Sequence, residues 1–210
     1  MPAIITMHLR RGRPERFIVM LDDAQEIILT PEIVLKYGIA PQREYSHETF
    51  LEILEEDALR QAKDQALRYL SRRPHSRFEL MRKMREKGFR QVIIARALDE
   101  LEKVNLVNDA DFARAFIQNE TRLRPVSRLL LAQKLNQRGI HREQYEPLLD
   151  ELLSDEQEIE MARDLAEKFL KTHPREKDQK LREKLLRFLQ AKGFTWEQIR
   201  QVVPSMDNEQ

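Results

Sequence analysis

The chain has no cysteine, one tryptophan and five glycines among its 210 residues. The absence of cysteine excludes disulfides, thiolate catalysis and sulfur-ligated zinc, and it is typical of proteins in the reducing cytosol. Long hydrophobic runs are also missing, because the longest covers only residues 17–21, and a bilayer span needs roughly 20 residues. The N-terminus lacks a basic segment followed by an apolar one. We therefore expect a soluble, cytoplasmic protein.

Charge is abundant and unevenly distributed. Charged residues make up 35% of the chain, 37 of them basic and 36 acidic, whereas aromatic residues make up 7%. Residues 1–57 hold 6 basic and 11 acidic groups, a net charge of −5, while residues 58–107 hold 13 and 6, a net charge of +7. This composition is typical of helices with solvated faces. An acidic N-terminal segment thus precedes a basic one.

Three glycines share one local setting and indicate an internal repeat. Gly88, Gly139 and Gly193 each follow a lysine or arginine and precede phenylalanine or isoleucine, with spacings of 51 and 54 residues. Glycine adopts the left-handed conformation at low cost, and a cation in the last turn faces the negative end of the helix dipole. Each of the three glycines is therefore predicted to end a helix.

A helical stripe follows each of these glycines. Apolar residues recur there with the spacing i, i+3, i+4 and i+7, beginning at Ile94, Tyr145 and Ile199, and the third set ends at Met206. This spacing places the side chains along one face of an α-helix. It predicts a buried face on the last helix of each repeat. We expect the only tryptophan, Trp196, to pack in the last of these helices.

Helix boundaries are also marked upstream of each glycine. Ser76 and Ser127 are suited to cap a helix, because a hydroxyl group accepts hydrogen bonds from the free N–H groups of the first turn. Pro74, Pro125 and Pro174 each break the helix that precedes them. Further apolar stripes lie before these prolines. The sequence therefore predicts three helices per repeat and nine in all.

The N-terminal residues differ in kind from the repeats. Short β-prone runs at 4–9, 17–21 and 26–29 are separated by turn-forming residues, which predicts a small sheet. Thr30 and the proline that follows it then predict a short helix that ends at Gly38. A further helix is expected to begin near residue 46.

These patterns together predict a mainly α-helical fold. Three tandem three-helix repeats are expected to form an elongated, curved array, preceded by a small N-terminal β-containing extension. No long apolar seam is left over, so a monomer is expected. An array of this kind is typical of a binding scaffold rather than an enzyme. The predicted boundaries are 1–45 for the extension, 46–57 for a helical connector, 58–107 and 108–153 for repeats 1 and 2, and 154–210 for repeat 3 with a short tail.

The residues that usually perform catalysis are scattered. No two of the five histidines are spaced as metal ligands on a helix, and the glycines stand singly, so no phosphate-binding loop is present. Acidic clusters occur at 55–57 and at Asp109 with Asp111, and both are expected at helix N-termini, where negative charge offsets the dipole. We expect no enzyme activity, no cofactor and no metal site. A metal-dependent hydrolase that uses these carboxylates is the least supported alternative.

Basic residues concentrate around the second helices of repeats 1 and 2. Clustered lysines and arginines neutralise phosphates and give salt-sensitive binding, but a solvated helix face has the same composition. Both interpretations stay open at this point. The candidate partner- or DNA-binding residues are Arg72, Arg73, Arg82, Lys83, Arg85, Arg122, Arg124, Arg128, Lys134 and Arg138.

Three arginines, Arg77, Arg128 and Arg182, occupy one position in the three repeats. They form either a ladder of contacts to phosphates and carboxylates, or ion pairs with acids of the third helix such as Asp99 and Asp150. We favour the structural interpretation, because a partly buried arginine usually needs a local partner. The residues given a structural role are Arg77, Arg182, Gly88, Gly139 and Gly193.

Several segments resemble the RecX family of recombination regulators. In the first repeat these are residues 66–80, 87–89 and 98–101, and in the second repeat residues 111–116, 134–135 and 138–140. The motif is a helical pattern with a distinctive spacing rather than a catalytic signature. The third repeat departs from it, since it lacks the serine–arginine cap and is more acidic. The N-terminal sheet is similar to an extension that some family members carry.

The resemblance implies a protein that binds the RecA recombinase and its filament on single-stranded DNA. Such a protein would limit filament growth and reduce the ATPase, strand-exchange and co-protease activities of RecA, in DNA repair, recombination and the SOS response. A stand-alone, sequence-independent nucleic-acid-binding module is the alternative, and it would bind single-stranded DNA directly. No membrane contact is expected.

Overall fold

The N-terminal segment forms a three-stranded antiparallel sheet in the computed structural model, which describes residues 4–12, 15–173 and 178–203. The strands are β1 (Ile4–Arg10), β2 (Arg16–Leu21) and β3 (Glu26–Leu29), in the order β1-β2-β3. The three predicted strands are therefore confirmed to within one residue at each end. Because successive side chains alternate between faces, Val19 and Leu21 of β2 are buried together.

Helix α1 (Pro31–Tyr37) joins the sheet to the first repeat. It ends at Gly38, which has a φ of 58°, as the sequence predicts. The buried carboxylate of Asp57 accepts hydrogen bonds from the backbone nitrogen and from Oγ1 of Thr30, both at 2.7 Å. Thr30 is the residue that caps α1. A carboxylate 27 residues further along the chain thus fixes the start of α1.

Helix α2 (His47–Leu70) is continuous over 24 residues. The segment expected to be a connector and the first helix of repeat 1 therefore form a single helix. It starts where Ser46 Oγ accepts a hydrogen bond from the backbone nitrogen of Thr49 at 3.1 Å, and no glycine or proline interrupts it. The expectation that the acidic cluster at 55–57 lies at a helix N-terminus is wrong, because the cluster lies in the middle of α2.

The chain divides into two compact units, residues 1–107 and residues 108–210. The first contains the sheet, α1 and repeat 1, and the second contains repeats 2 and 3. The described residues hold the nine predicted repeat helices in addition to α1. After α2, the helices are α3 (Arg77–Glu86), α4 (Gln91–Lys103), α5 (Asp109–Leu123), α6 (Arg128–Asn136), α7 (Arg142–Leu152), α8 (Asp155–Thr172), α9 (Asp178–Ala191) and α10 (Trp196–Val202).

The predicted helix ends of the first two repeats are present. Ser76 Oγ accepts a hydrogen bond from the third residue of α3 at 3.1 Å, and Ser127 Oγ accepts one from the third residue of α6 at 3.2 Å. Helices α2 and α5 end before Pro74 and Pro125, while Pro174 lies outside the described residues. The glycines that follow the second helices all have positive φ, 87° at Gly88, 77° at Gly139 and 86° at Gly193.

One sequence register relates the buried residues of the three repeats. Positions on the second and third helices correspond with an offset of 51 residues from repeat 1 to repeat 2 and of 54 from repeat 2 to repeat 3. The buried stripe residues Ile94, Tyr145 and Ile199 confirm the predicted apolar faces, while Met206 lies outside the described part of the chain. The second-helix counterparts are Leu80, Leu131 and Leu185, all buried.

Trp196 lies on the surface, so the expectation that it packs inside the last repeat is wrong. It is the first residue of α10 and remains 46% exposed. The buried face of α10 is formed by Gln198 and Ile199 instead. Gln198 and Ile199 point toward the core. Because each residue of a helix is rotated by about 100° about the axis, Trp196 then lies outside the core.

Repeats 2 and 3 are joined by polar contacts at the N-terminus of α6. Besides capping the helix, Ser127 Oγ donates a hydrogen bond to the carbonyl oxygen of Lys192 at 2.7 Å. Glu158, which is 4% exposed, accepts from the backbone nitrogen of Arg128 at 2.6 Å and from Nε2 of Gln198 at 3.0 Å. Each of these groups is buried with a partner, as buried polar groups require.

Candidate partner-binding surface

Arg77 and Arg128 each connect the second helix of a repeat to the third. Burial by itself disfavours a charged guanidinium group, but hydrogen bonds and the charges of two carboxylates raise the pKa of each arginine above its ordinary value. The expected pairs with third-helix acids are present. Arg77 donates to Asp99 and Glu102, both at 2.6 Å, and Arg128 to Glu146 at 3.2 Å and to Asp150.

The exposed side of α3 carries two arginines beside an aromatic ring. We call Phe78, Arg82 and Arg85 the α3 face, because residues at i, i+4 and i+7 lie on one side of a helix. All three side chains are exposed, and Phe78 retains 40% of its surface. Arg82 has only a long contact to Glu86, with 3.9 Å between Nε and Oε1. On the opposite side of α3, Leu80 is fully buried, so the face is free for a partner.

Three further candidate residues lie at the edge of this face. Arg72 is exposed in the turn between α2 and α3. Arg73 Nη1 binds Glu79 Oε2 at 2.9 Å, although half of the arginine side chain is exposed. Lys83 Nζ lies 5.1 Å from the ring centroid of Tyr69, in a cation–π contact. Arg72 is therefore open to solvent, whereas Arg73 and Lys83 are partly held inside repeat 1.

Two basic residues of repeat 2, Lys134 of α6 and Arg138 just after this helix, are held inside the repeat. Lys134 Nζ donates to Glu120 Oε2 at 2.5 Å. Burial raises the pKa of the Glu120 carboxyl, but Lys134 and Arg124 together lower it below its ordinary value. Arg138 donates to the carbonyl oxygen of Lys134 at 2.8 Å, and its guanidinium group lies 4.4 Å from the ring centroid of Phe116. Lys134 and Arg138 therefore have internal roles.

Arg122 and Arg124 lie at a more open place in the second unit. Both are exposed at the C-terminal end of α5, on either side of Leu123. With Glu160 and Asp164 of α8 they line a cleft of about 440 Å³. Since the cleft contains charges of both signs, it does not form a uniformly basic surface.

The pair of arginines on the α3 face has no counterpart in the other repeats. The same register places leucine, glutamine and asparagine on α6, and glutamate, arginine and glutamine on α9. Two arginines without a close ion pair, beside an aromatic ring, therefore occur at this register in repeat 1 only. The equivalent residues are Leu129, Gln133 and Asn136 in repeat 2, and Glu183, Arg187 and Gln190 in repeat 3.

Residues that could perform metal chemistry are not brought together in the described part of the chain. Over residues 4–12, 15–173 and 178–203, no group of three or more histidine, aspartate or glutamate side chains is placed to hold a metal ion. Within the same ranges, no helix is both long and apolar enough to cross a bilayer.

Comparisons with known proteins give a consistent result. Family models described as the first, second and third three-helix domains of RecX match residues 62–101, 108–146 and 155–203. A regulatory protein RecX from Chlorobaculum tepidum is 40% identical over 142 residues, which cover 68% of this chain and 86% of that protein. Another from Clostridium perfringens strain 13 is 32% identical over 213 residues, which cover 99% of this chain and 98% of that protein. The chain belongs to the RecX family.

Solved structures of RecX proteins share the fold. A crystal structure of a regulatory protein RecX superimposes with a TM-score of 0.74 at 18% identity, covering 96% of this chain and 98% of that one. RecX from Lactobacillus salivarius gives a TM-score of 0.64 at 23% identity, covering 70% and 95%. The mainly helical architecture of three three-helix domains after a small sheet is thus confirmed.

The surfaces described above lie inside the matched RecX domains. The α3 face falls in the first domain, and Arg182 falls in the third. The relatives are named regulatory proteins. Sequence reasoning singled out Arg82 and Arg85 but missed the exposed ring of Phe78, although its position four residues before Arg82 indicates that it shares their face.

Proposed function

We propose that this chain is a non-enzymatic cytoplasmic regulator that binds the RecA recombinase and its filament on single-stranded DNA. On this proposal it reduces the ATPase, strand-exchange and co-protease activities of RecA, and so acts in DNA repair and recombination. Membership of the RecX family, whose relatives are named regulatory proteins, supports a regulatory role. The resemblance of its repeats to RecA regulators supports RecA as the partner.

The observation that carries the proposal is the α3 face. Arg82 and Arg85 are exposed and lack close ion pairs among the described residues, and Phe78 adds apolar surface beside them. Interfaces are enriched in arginine and aromatic residues, which combine charge complementarity with desolvation. The single-stranded DNA of a RecA filament carries phosphates, which such a face can neutralise. Arg72 is a further exposed arginine of the same unit.

The test is a titration of the purified protein into RecA, ATP and single-stranded DNA. The expected result is a concentration-dependent fall in ATP hydrolysis and a shorter filament by electron microscopy. Unchanged hydrolysis together with unchanged filament length would contradict the proposal.

A variant can test the α3 face without disturbing the fold. Arg82→Gln with Arg85→Asn gives α3 the residues that α6 carries at the same register, where a stable helix is already observed. We expect this double variant to lose most of the effect on RecA while its circular dichroism spectrum is unchanged. Arg163→Gln with Arg187→Gln removes the same charge from exposed positions of repeat 3 and is the matched control. Equal losses in both variants would show that net charge matters rather than this face.

Direct binding of nucleic acid is the second candidate function, and the exposed ring of Phe78 beside two arginines favours it. Exposed aromatic side chains stack on unpaired bases, while arginines neutralise phosphates. If the chain acts alone, it binds single-stranded DNA without RecA, the affinity falls steeply with salt, and RecA activity is unaffected. Fluorescence anisotropy of a labelled oligonucleotide, with and without RecA, distinguishes the two functions.

A further inference from the structure

Among the three equivalent arginines, Arg182 lacks carboxylate partners in the described part of the chain. Arg77 and Arg128 each bind two carboxylates. The Nε atom of Arg182 is buried and has no hydrogen-bond partner within residues 4–12, 15–173 and 178–203. A buried polar group without a partner costs free energy, and native proteins usually supply one. Arg182 is therefore short of an acceptor that its counterparts have.

The repeat register accounts for two of the acceptors that Arg182 lacks. The two acids that hold Arg128 are Glu146 and Asp150, and the offset of 54 residues places Arg200 and Pro204 at their positions in repeat 3. In repeat 2 the corresponding atoms, Arg128 Nη2 and Glu146 Oε1, lie 3.2 Å apart. The exchange of glutamate for arginine replaces an attractive pair with two like charges. At these two positions repeat 3 therefore carries one arginine and no acid, while Asp207, the counterpart of Glu102, lies outside the described residues.

The surroundings of Arg200 leave its charge accessible. Its guanidinium carbon lies 5.3 Å from the ring centroid of Trp196, and both side chains are exposed. None of the ion pairs formed within the described residues involves Arg200 or Arg182. An arginine that stacks on an indole ring keeps the N–H groups at its edge free to donate. Arg200 and Trp196 therefore offer a guanidinium group and an exposed aromatic surface, and the repeat register places Arg182 beside them.

We propose that Arg182 and Arg200 form a binding site for carboxylate groups of an acidic peptide segment from a partner protein, with Trp196 as its apolar wall. Carboxylate is the ligand because the equivalent arginines of repeats 1 and 2 bind carboxylates, whose two oxygens match the planar guanidinium group. A peptide is the source because the indole provides apolar contact for the remainder of an acidic side chain. The site lies on repeat 3 and does not depend on the function proposed for the α3 face.

Trp196 supplies the readout, because it is the only tryptophan of the chain. The full-length protein is titrated with a capped peptide of alternating aspartate and glutamate, and separately with the corresponding asparagine–glutamine peptide. The expected result is a saturable change in tryptophan emission with the acidic peptide only, weakened by added salt. Arg200→Gln, at an exposed position, should lower the affinity about tenfold, which is the size of effect expected for charge-assisted hydrogen bonds.

Controls separate this site from general charge effects and from other ligands. Arg187→Gln removes the same charge from an exposed position of α9, where Arg187 has only a 3.9 Å contact to Glu183, and it should leave the affinity unchanged. Arg182→Gln is assayed together with its circular dichroism spectrum, so that loss of folding is not read as loss of binding. Equal effects of Arg187→Gln and Arg200→Gln, or no response to the acidic peptide, would overturn the proposal.

Two further experiments identify which molecule supplies the negatively charged ligand of this site. An oligothymidylate that changes Trp196 emission at lower concentration than the peptide would assign the site to nucleic acid and overturn the peptide proposal. Residues 204–210 contain Asp207 and Glu209. A peptide response that appears only after these seven residues are removed would mean that the chain itself occupies the site, and this too would overturn binding of a separate partner.

Discussion

Ser127 and Gly193 approach each other so closely that a side chain at residue 193 has no room. A Cβ atom on Gly193 would lie 2.5 Å from Ser127 Oγ, and the same hydroxyl group donates to the carbonyl oxygen of Lys192 at 2.7 Å. Gly193 also has a φ of 86°. Gly193 therefore has two roles. It ends α9, and its lack of a side chain allows the N-terminus of α6 to pack against it between repeats 2 and 3.

Gly193→Ala is therefore expected to destabilise the protein by more than the cost of its backbone conformation alone. The left-handed conformation costs an L-residue about 1–2 kcal/mol, and displacement of Ser127 adds the loss of its hydrogen bond and part of its capping interaction, each worth about 1 kcal/mol. The measurement is urea unfolding followed by circular dichroism.

Gly88→Ala is the matched control, because Gly88 has a φ of 87° and a Cβ atom there meets nothing within 4 Å. Gly88→Ala should lower the free energy of unfolding only by the cost of the left-handed backbone conformation. If the two variants lower the free energy of unfolding equally, the close approach at Gly193 contributes nothing.

The Arg77–Asp99 pair is expected to have a measurable coupling energy. Its atoms lie 2.6 Å apart and the arginine is half-buried, but more than half of the Asp99 side chain is exposed. Solvent screening therefore limits the expected coupling to about 1 kcal/mol or less. A double-mutant cycle with Arg77→Met and Asp99→Asn measures it from urea unfolding. The coupling should decrease in high salt; a coupling indistinguishable from zero at low salt would show that the pair does not stabilise repeat 1.

Local signals in the sequence sufficed for most helix and strand boundaries. Ser76 and Ser127 cap helices because their hydroxyl groups act within one turn, and Gly88 ends α3 because φ is a property of a single residue. The repeat offsets of 51 and 54 residues then predicted which positions of one repeat are buried from the buried positions of another. Interactions that depend only on neighbours along the chain are the ones a single sequence reveals.

Features that depend on distant residues were not predictable in the same way. The burial of Asp57 depends on Thr30, 27 residues earlier, and no local pattern in α2 reports that contact. Lys134 looked like an open cation because its partner, Glu120, lies on another helix. The exposure of Trp196 follows from its place in the first turn of α10. Its hydrophobic character alone led to the prediction that it is buried.

Charge reversal is expected to separate structural from surface arginines. Arg138→Glu places a carboxylate beside the ring of Phe116 and removes the hydrogen bond to the carbonyl oxygen of Lys134, so it should lower the free energy of unfolding by about 1–2 kcal/mol. Arg85→Glu, on the exposed α3 face, should change it by less than about 0.5 kcal/mol. Thermal melts followed by circular dichroism compare the two. Equal melting temperatures would show that the contacts of Arg138 do not stabilise repeat 2.

His75 is expected to make the stability of the first unit sensitive to mild acid. It is buried between α2 and α3, where its Nδ1 donates to the carbonyl oxygen of Arg73 at 2.9 Å. Burial lowers the pKa of its imidazole below the ordinary value, and the positive charges of Arg73 and Lys83 act in the same direction, against opposing effects of the backbone hydrogen bond and of Glu79.

Because the pKa of His75 is lower in the folded state than in the unfolded state, the unfolded chain binds a proton at this residue at a higher pH than the folded chain does. The stabilising contribution is therefore complete above the unfolded pKa of about 6.5 and is lost progressively as the pH falls from there toward the lower folded pKa. Urea unfolding at pH 7.5 and pH 5.5 should show a smaller loss of stability for His75→Gln than for the unmodified chain. His47→Gln, at an exposed position in the first turn of α2, is the control and should lose as much as the unmodified chain. If His75→Gln also loses as much between the two pH values, protonation of His75 is not the cause of the acid sensitivity.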